Sequence, residues 1–213
     1  MHRSEEDYLK AIYEITINTE TSLVKNIDIA DNLGFAIQSV NEMIKRLDTK
    51  GYLNFIPYKG VELTEKGLTE SIRMVRAHRI WEVFLMQKLG YSWHEVHEQA
   101  ENLEHAADDE LVERIYDFIG RPKYCAHGNP IPTFDNKISN VFKKSLFQFN
   151  VGESFHLRRV FDNKNLLIFL NKKDIKINDN FNILVKDESH ILLEKNNIKY
   201  ELSIHQSKML FGE

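Results

Sequence analysis

Residues 26–64 read NIDIADNLGFAIQSVNEMIKRLDTKGYLNFIPYKGVELT. Asn26 or Asp28 starts a short helix through IADNL, and Gly34 ends it in the left-handed conformation that a Cβ disfavours. A second helix follows from about Ile37 to Lys50, with Val40, Ile44 and Leu47 as its buried stripe and Gly51 closing it. Short helix, glycine-bearing turn, longer helix is the helix-turn-helix pattern. YLNFIPYKGVELT then reads as two strands around a turn from Pro57 to Gly60. Together they make a winged helix-turn-helix.

On the second helix the core positions leave Gln38, Ser39, Asn41, Glu42, Lys45 and Arg46 outside. Gln, Asn and Ser are residue types that read base edges or bind phosphate. Lys45, Arg46, Lys50 and Lys59 of the wing supply charge for phosphates. The other reading is a winged helix that binds protein, or a plain polar face. Residues 1–63 carry seven basic and ten acidic residues, which counts against strong unassisted DNA binding. From Phe35 to Val61 the balance reverses to four basic against two acidic. If the segment binds DNA, its weak charge implies that a dimer is needed for useful affinity.

Upstream, Ser4 is expected to cap a first helix to about Asn18, with Tyr8, Ile12 and Ile15 at core spacing. Asp7 falls in its first turn, where a carboxylate complements the helix dipole. Downstream, Thr64 caps a long helix to about Leu89, and Gly90 follows its end. Its apolar residues exceed one buried stripe, which suggests burial on two sides, including a dimer interface. His78 and Glu82 lie four apart on it. Ser92 to Ala107, SWHEVHEQAENLEHAA, reads as one helix, with Ser92 and Glu95 as a capping box. There His97, Glu101, Glu104 and His105 recur at steps that share a face. Such a face suits a divalent metal, or is a solvated acidic surface. His94 and Glu98 read as surface residues. Asp108 or Asp109 caps ELVERIYDFI, ended by Gly120. RPKYCAHGNPIP is then a loop with Cys125 and His127 two apart.

Residues 133–150 read as a linker with room for one helix. From Val151 the period changes to two. SFHLRRVF, LLIFL, FNILVKD, HILLEK and KYELSIH read as about five short strands of a small barrel resembling SH3. The fold class is therefore mainly α with a small β part. It divides into a winged helix-turn-helix DNA-binding domain (1–63), a helical dimerisation and metal-binding domain (64–132), the linker, and the SH3-like domain (151–213). Residues 92–120 hold nine acidic residues and one basic one, whereas basic residues prevail from Asn136 to Tyr200. The middle is thus the candidate cation site. No run of apolar residues is long enough to span a membrane, and the acidic, helical start is not a signal peptide. One cysteine among 213 residues suits a reducing cytoplasm. No phosphate loop, nucleophile elbow or HExxH motif points to an enzyme.

EEDYLKAIYEI, AHRIWEVFL, ENLEHAADDELVERI and CAHGNPIP resemble the diphtheria-toxin-repressor family of metal-dependent transcriptional repressors, and more closely its manganese-responsive streptococcal and staphylococcal branch. The likeness is strong from residue 4 to 132 and weaker in the C-terminal part, which resembles the family's SH3-like (FeoA-like) domain. It implies a cytoplasmic homodimer that binds a palindromic operator in duplex DNA when metal is bound and represses metal-uptake genes. It implies one ligand set of Asp7, Glu101, Glu104 and His105, and a second of Glu82, Cys125, His127 and Asp162. His78 and His97 resemble further ligands or supporting groups. Mn²⁺ is the expected cofactor, with Fe²⁺ possible and Zn²⁺ or Cd²⁺ able to substitute in vitro. Iron-responsive members carry a cysteine where this chain has Glu101, and thiolate prefers softer metals. Lys10 departs from the glutamate that completes a binuclear centre in some manganese regulators. The alternatives are an iron-responsive regulator of the same family and a metal-independent winged-helix protein.

Overall fold

The computed structural model describes residues 1–213 except Glu20, Asn136 and Asn140, and except the side chains of His94 and Lys164, so the surface reading of His94 lies outside the described residues. The chain divides into two compact units: Met1–Ala77 with Pro132–Lys137, and His78–Ile131 with Ile138–Glu213.

The first unit holds α1 (Arg3–Thr19), α2 (Asn26–Leu33), α3 (Ile37–Thr49), β1 (Leu53–Ile56), β2 (Gly60–Leu63) and the first half of α4 (Glu65–Leu89). Gly34 follows α2 at φ 69°, as the turn requires. Val40, Ile44 and Leu47 of α3 are fully buried against Leu9 and Ile12 of α1, Ile29 of α2, and Leu53 and Val61 of the wing. The wing strands are antiparallel, with Leu53 opposite Leu63 and Phe55 opposite Val61. Gly60 lies so close to the chain that a Cβ there would sit 2.2 Å from the Val24 carbonyl oxygen, so no larger residue fits. One expected cap is displaced. α1 begins at Arg3, so Ser4 is inside it, and the His2 carbonyl accepts from the Glu5 and Glu6 amides instead. Thr64 does cap α4, its Oγ1 accepting from the Gly67 amide at 3.1 Å.

The second unit holds the rest of α4, then α5 (Trp93–Glu104), α6 (Asp109–Phe118), β3 (Ser154–Val160), α7 (Lys164–Lys172), β4 (Asn180–Lys186), β5 (His190–Lys195), β6 (Ile198–Ser203), α8 (Ile204–Ser207) and β7 (Leu210–Gly212). Ser92 and Glu95 form the capping box of α5, and Asp108 caps α6. α5 stops at Glu104, so His105 stands at its C-cap rather than on its face. From Ser71 to Leu85 of α4, only Arg73 and Phe84 are not fully buried. The apolar surplus of this helix is therefore covered within the chain and does not by itself call for a partner subunit. Exposed apolar side chains include Leu89 at its C-terminal end and Leu111 and Phe118 of α6.

The C-terminal strands form an antiparallel sheet in the order β6-β5-β4-β3-β7. The count of five matches the sequence reading, but its membership does not. LLIFL is not a strand; it is the body of α7. Asn163 caps that helix by accepting from the Leu166 amide, and Leu166, Leu167 and Leu170 repeat on one buried face. A short apolar run carries no period of its own, and here the cap decides for helix. The fifth strand is instead β7, three residues long and beside β3. Part of the expected linker is also core. A 3₁₀ turn at Leu146–Gln148 places Leu146 and Phe149 among the buried residues of the sheet. Among the described residues, no helix is long and apolar enough to cross a membrane.

Leu167 has no exposed surface in this core. Leu167→Ala should cost about 2–5 kcal/mol and lower the urea midpoint of the C-terminal sheet. An unchanged midpoint would contradict the helical packing of LLIFL.

Candidate functional site

Four segments of the second unit converge on one buried carboxylate. α4 carries His78 and Glu82 one turn apart, α5 carries His97, the loop after α6 carries Cys125 and His127, and Asp162 follows β3. The loop is held in place by its own backbone and by its neighbours. The Cys125 amide donates to the Asn129 carbonyl at 2.8 Å, and the Val160 amide donates to the His127 carbonyl at 2.9 Å. Arg79 of α4 donates to the Pro130 carbonyl at 2.5 Å. Gly128 is required there. Its φ is 78°, and a Cβ would fall 2.0 Å from the Arg158 carbonyl oxygen.

Glu82 has no exposed surface, nor has the side chain of His127. Its Oε1 lies 3.0 Å from His127 Nδ1, 3.1 Å from His78 Nε2 and 3.8 Å from His97 Nδ1. His127 Nδ1 is also 2.8 Å from Asp162 Oδ1. Yet His127 Nδ1, His97 Nδ1, Asp162 Oδ1 and Glu82 Oε2 are all buried without an aligned hydrogen-bond partner. Single ligand atoms from Glu82, Cys125 and His127 all lie within 4.8 Å of one another, as do those from His78, Glu82 and His97. These clusters bring together the imidazole, carboxylate and thiol donors that hold divalent metals.

The surrounding groups orient the set. The other imidazole nitrogen of His127, Nε2, lies 3.3 Å from the Trp93 carbonyl, which can only accept. That contact places a proton on Nε2 and leaves Nδ1 as the donor atom. Asn129 donates to Asp162 Oδ2 at 3.2 Å, and Arg159 donates to Asn129 at 3.4 Å. Asn129, Trp93, Arg79 and Arg159 carried no separate signal in the sequence, because an orienting role depends on tertiary placement.

The remaining residues fall as follows. Glu104 is buried and hydrogen-bonds His78 Nδ1, so His78 spans Glu104 and Glu82. His105 Nε2 is 3.6 Å from Glu104 Oε1. Glu101 is half exposed and stands 3.3 Å from His97 Nε2. Asp7 is half-buried on α1 in the first unit. On α3, Gln38, Ser39, Glu42, Lys45 and Arg46 are exposed, as is Lys59 in the wing turn. Asn41 is partly withdrawn, its Oδ1 accepting from Asn26 at 2.7 Å. Arg46 and Lys50 both bind Glu5 of α1, at 2.7 and 2.6 Å, a contact invisible to a reading of the helix alone.

Charge in the site is balanced by protons. Burial pushes the Glu82 carboxyl up, but His127 and His78 outweigh it and hold it well below the usual carboxylate range. Burial pushes His127 down, and the Glu82 and Asp162 charges reverse that, raising it well above the usual imidazole range. His97 is likewise carried up to about 10 against its burial, by Glu101 and Glu82. The Cys125 thiol is pushed up to about 12 by burial and by the Glu82 charge.

Two family models match the chain. They are described as the iron dependent repressor N-terminal DNA binding domain, over residues 1–61, and the iron dependent repressor metal binding and dimerisation domain, over residues 64–133. An uncharacterized HTH-type transcriptional regulator of Methanocaldococcus jannaschii, MJ0568, is 37% identical over 123 residues, 58% of this chain and 98% of that protein. The iron-dependent repressor IdeR of Mycobacterium tuberculosis is 32% identical over 127 residues, 60% of this chain and 54% of IdeR, so the match spans about half of that protein. The solved structure of the manganese regulator SloR is similar over 98% of this chain and 97% of that one, with 32% identity and a TM-score of 0.84.

An ion entering the Glu82 site must displace protons from His127 and His97, because neutral imidazoles are the ligands. Affinity for Mn²⁺ should therefore rise from mildly acid to mildly alkaline pH. Calorimetry in two buffers of different ionisation enthalpy should give different heats. Identical heats in both would contradict this protonation pattern.

Proposed function

Because the chain belongs to the diphtheria-toxin-repressor family, in its manganese-responsive branch, we propose that Mn²⁺ is the signal it reads and that its target is a palindromic operator controlling metal uptake. The chain is a metal-dependent, DNA-binding transcriptional repressor, with a DNA-binding domain followed by a metal-binding and dimerisation domain. The observation that supports a metal trigger is the buried Glu82 carboxylate facing three imidazoles and Asp162, with donor atoms left unaligned. We assign Glu82, Cys125, His127 and Asp162 as one ligand set, with His78 and His97 beside it. From the family resemblance we assign Asp7, Glu101, Glu104 and His105 as the other. The domain boundaries 1–63, 64–132 and 151–213, a cytoplasmic location and a regulatory rather than catalytic role belong to the same reading.

Manganese is favoured by donor chemistry. Carboxylates and imidazoles suit Mn²⁺ and Fe²⁺, whereas thiolate draws softer ions. With its pKa near 12, Cys125 stays a neutral thiol until a metal removes its proton. We place the second copy of the homodimer on the exposed apolar side chains of α6, Leu111 and Phe118. They lie within the segment matched by the dimerisation model.

The mechanism is linkage. A divalent ion held by Glu82, Cys125, His127 and Asp162 would supply the positive charge that protonated imidazoles otherwise supply to these carboxylates. Glu82, His127 and Asp162 then hold α4, the Cys125 loop and the end of β3 in one arrangement. Asp7 extends the same dependence to α1. Metal favours the operator-competent state only by binding it more tightly. Operator DNA must then raise metal affinity by the same factor, typically about 1–3 kcal/mol of coupling.

Operator-binding anisotropy with and without Mn²⁺ tests this reading. Affinity should rise about 5- to 150-fold with Mn²⁺, and equal affinity would refute metal dependence. Asp7→Ala should abolish the rise while leaving the dimer intact by sedimentation. In a parallel test, Cys125→Ser should leave activation by Mn²⁺ within about threefold and weaken activation by Cd²⁺ at least tenfold, since thiolate contributes chiefly to soft ions. Equal losses for both metals would contradict the expectation that, within this ligand set, the thiol matters chiefly for soft ions.

A further inference from the structure

Glu5 is an unusual residue to find in a DNA-binding unit. It lies in the first turn of α1 with its side chain fully buried, and it holds two cations of α3. Its Oε1 is 2.7 Å from Arg46 Nε and 2.6 Å from Lys50 Nζ. Its Oε2 accepts from the His2 amide at 3.3 Å. Arg46 and Lys50 themselves remain 47% and 41% exposed. A guanidinium bound through Nε still offers its two terminal nitrogens outward. The contact therefore does not hide Arg46; it fixes the direction in which Arg46 faces solvent.

We propose that Glu5 is a positioning residue: it makes the exposed cations at the C-terminal end of α3, Arg46 and Lys50, follow the position of α1. α1 and α3 also share an apolar core that holds Leu9 and Ile12 with Val40, Ile44 and Leu47. Apolar packing is not directional and tolerates small slides. A charge-assisted hydrogen bond to Nε is directional. Arg46 and Lys50 together cover the Glu5 carboxylate, so two charged contacts tie these side chains to α1. Asp7 is two residues along the same helix turn. This inference rests on the reading that metal acts through Asp7, and it names the route from α1 to the phosphates.

The test is a double-mutant cycle on the full-length protein, read by operator anisotropy at saturating Mn²⁺ over a salt series. Glu5→Gln keeps the shape and removes the charge. It should lower operator affinity about tenfold, the scale of one hydrogen bond to a charged group. It should also reduce the slope of log affinity against log salt by about one, the signature of one lost phosphate contact. Arg46→Ala should lower affinity similarly, and Glu5→Gln should then add little in the Arg46→Ala background. Mn²⁺ binding measured without DNA should stay unchanged in Glu5→Gln. Additive losses, or a Glu5→Gln protein that binds operator like the original, would overturn the positioning role. A Glu5→Gln protein that has lost its helical circular dichroism is replaced by Glu5→Asp, which keeps the charge but shortens its reach and should show the same non-additivity. An original protein that binds operator equally with and without Mn²⁺ would instead refute the parent reading, leaving the cycle to stand or fall separately.

Discussion

The structure turns on one carboxylate that cannot reach water. Glu82 is fully buried on the most buried stretch of the longest helix, and an isolated buried charge is costly enough that it must be compensated in place. Compensation comes from elements far apart in sequence: His78 one turn away, His97 on the next helix, and His127 on a loop locked against β3. Without those imidazoles Glu82 would be a liability in the core. With them it is a balanced cluster in which, on the proposed function, protons and a metal ion would compete for the same donor atoms.

On the proposed function, that competition would give the site its sensing character. Protonated imidazoles can neutralise the carboxylates, and so can a divalent ion, but only the ion draws all the donors toward one point. Arg79, Asn129 and Arg159 keep the donors oriented and fix the loop that supplies two of them. The neighbouring His78–Glu104 contact carries the same network to the end of α5, where His105 stands at the helix terminus. Geometry at this centre therefore reaches both α5 and the β3 terminus.

Much of this was legible in the sequence where local rules govern. Gly34, Gly51 and the Val40, Ile44, Leu47 stripe delimit the helix-turn-helix because caps and periodicity act over a few residues. Spacing alone placed His78 with Glu82, and the resemblance carried Cys125, His127 and Asp162 to one ligand set, which the fold brings together. The misses lie where tertiary context outweighs local pattern. LLIFL has no period until the Asn163 cap is seen. β7 is three residues long and exists only because β3 has a free edge. From Ser71 to Leu85 the apolar surplus of α4 is covered by the chain itself, apart from Phe84, which the sequence alone cannot show. Glu5 carried no separate signal in the sequence, and only the α1–α3 contact makes it the partner of Arg46 and Lys50.

The central claim is that Glu82 anchors a metal that stabilises the arrangement around it, and thermal unfolding with and without Mn²⁺ tests it most directly. At about a hundredfold excess over the dissociation constant, binding should stabilise the native protein by ~2.7 kcal/mol and raise its melting temperature. Glu82→Gln removes the charge at nearly constant shape, so its melting temperature should no longer respond to Mn²⁺. An equal rise in the Glu82→Gln protein would contradict the account.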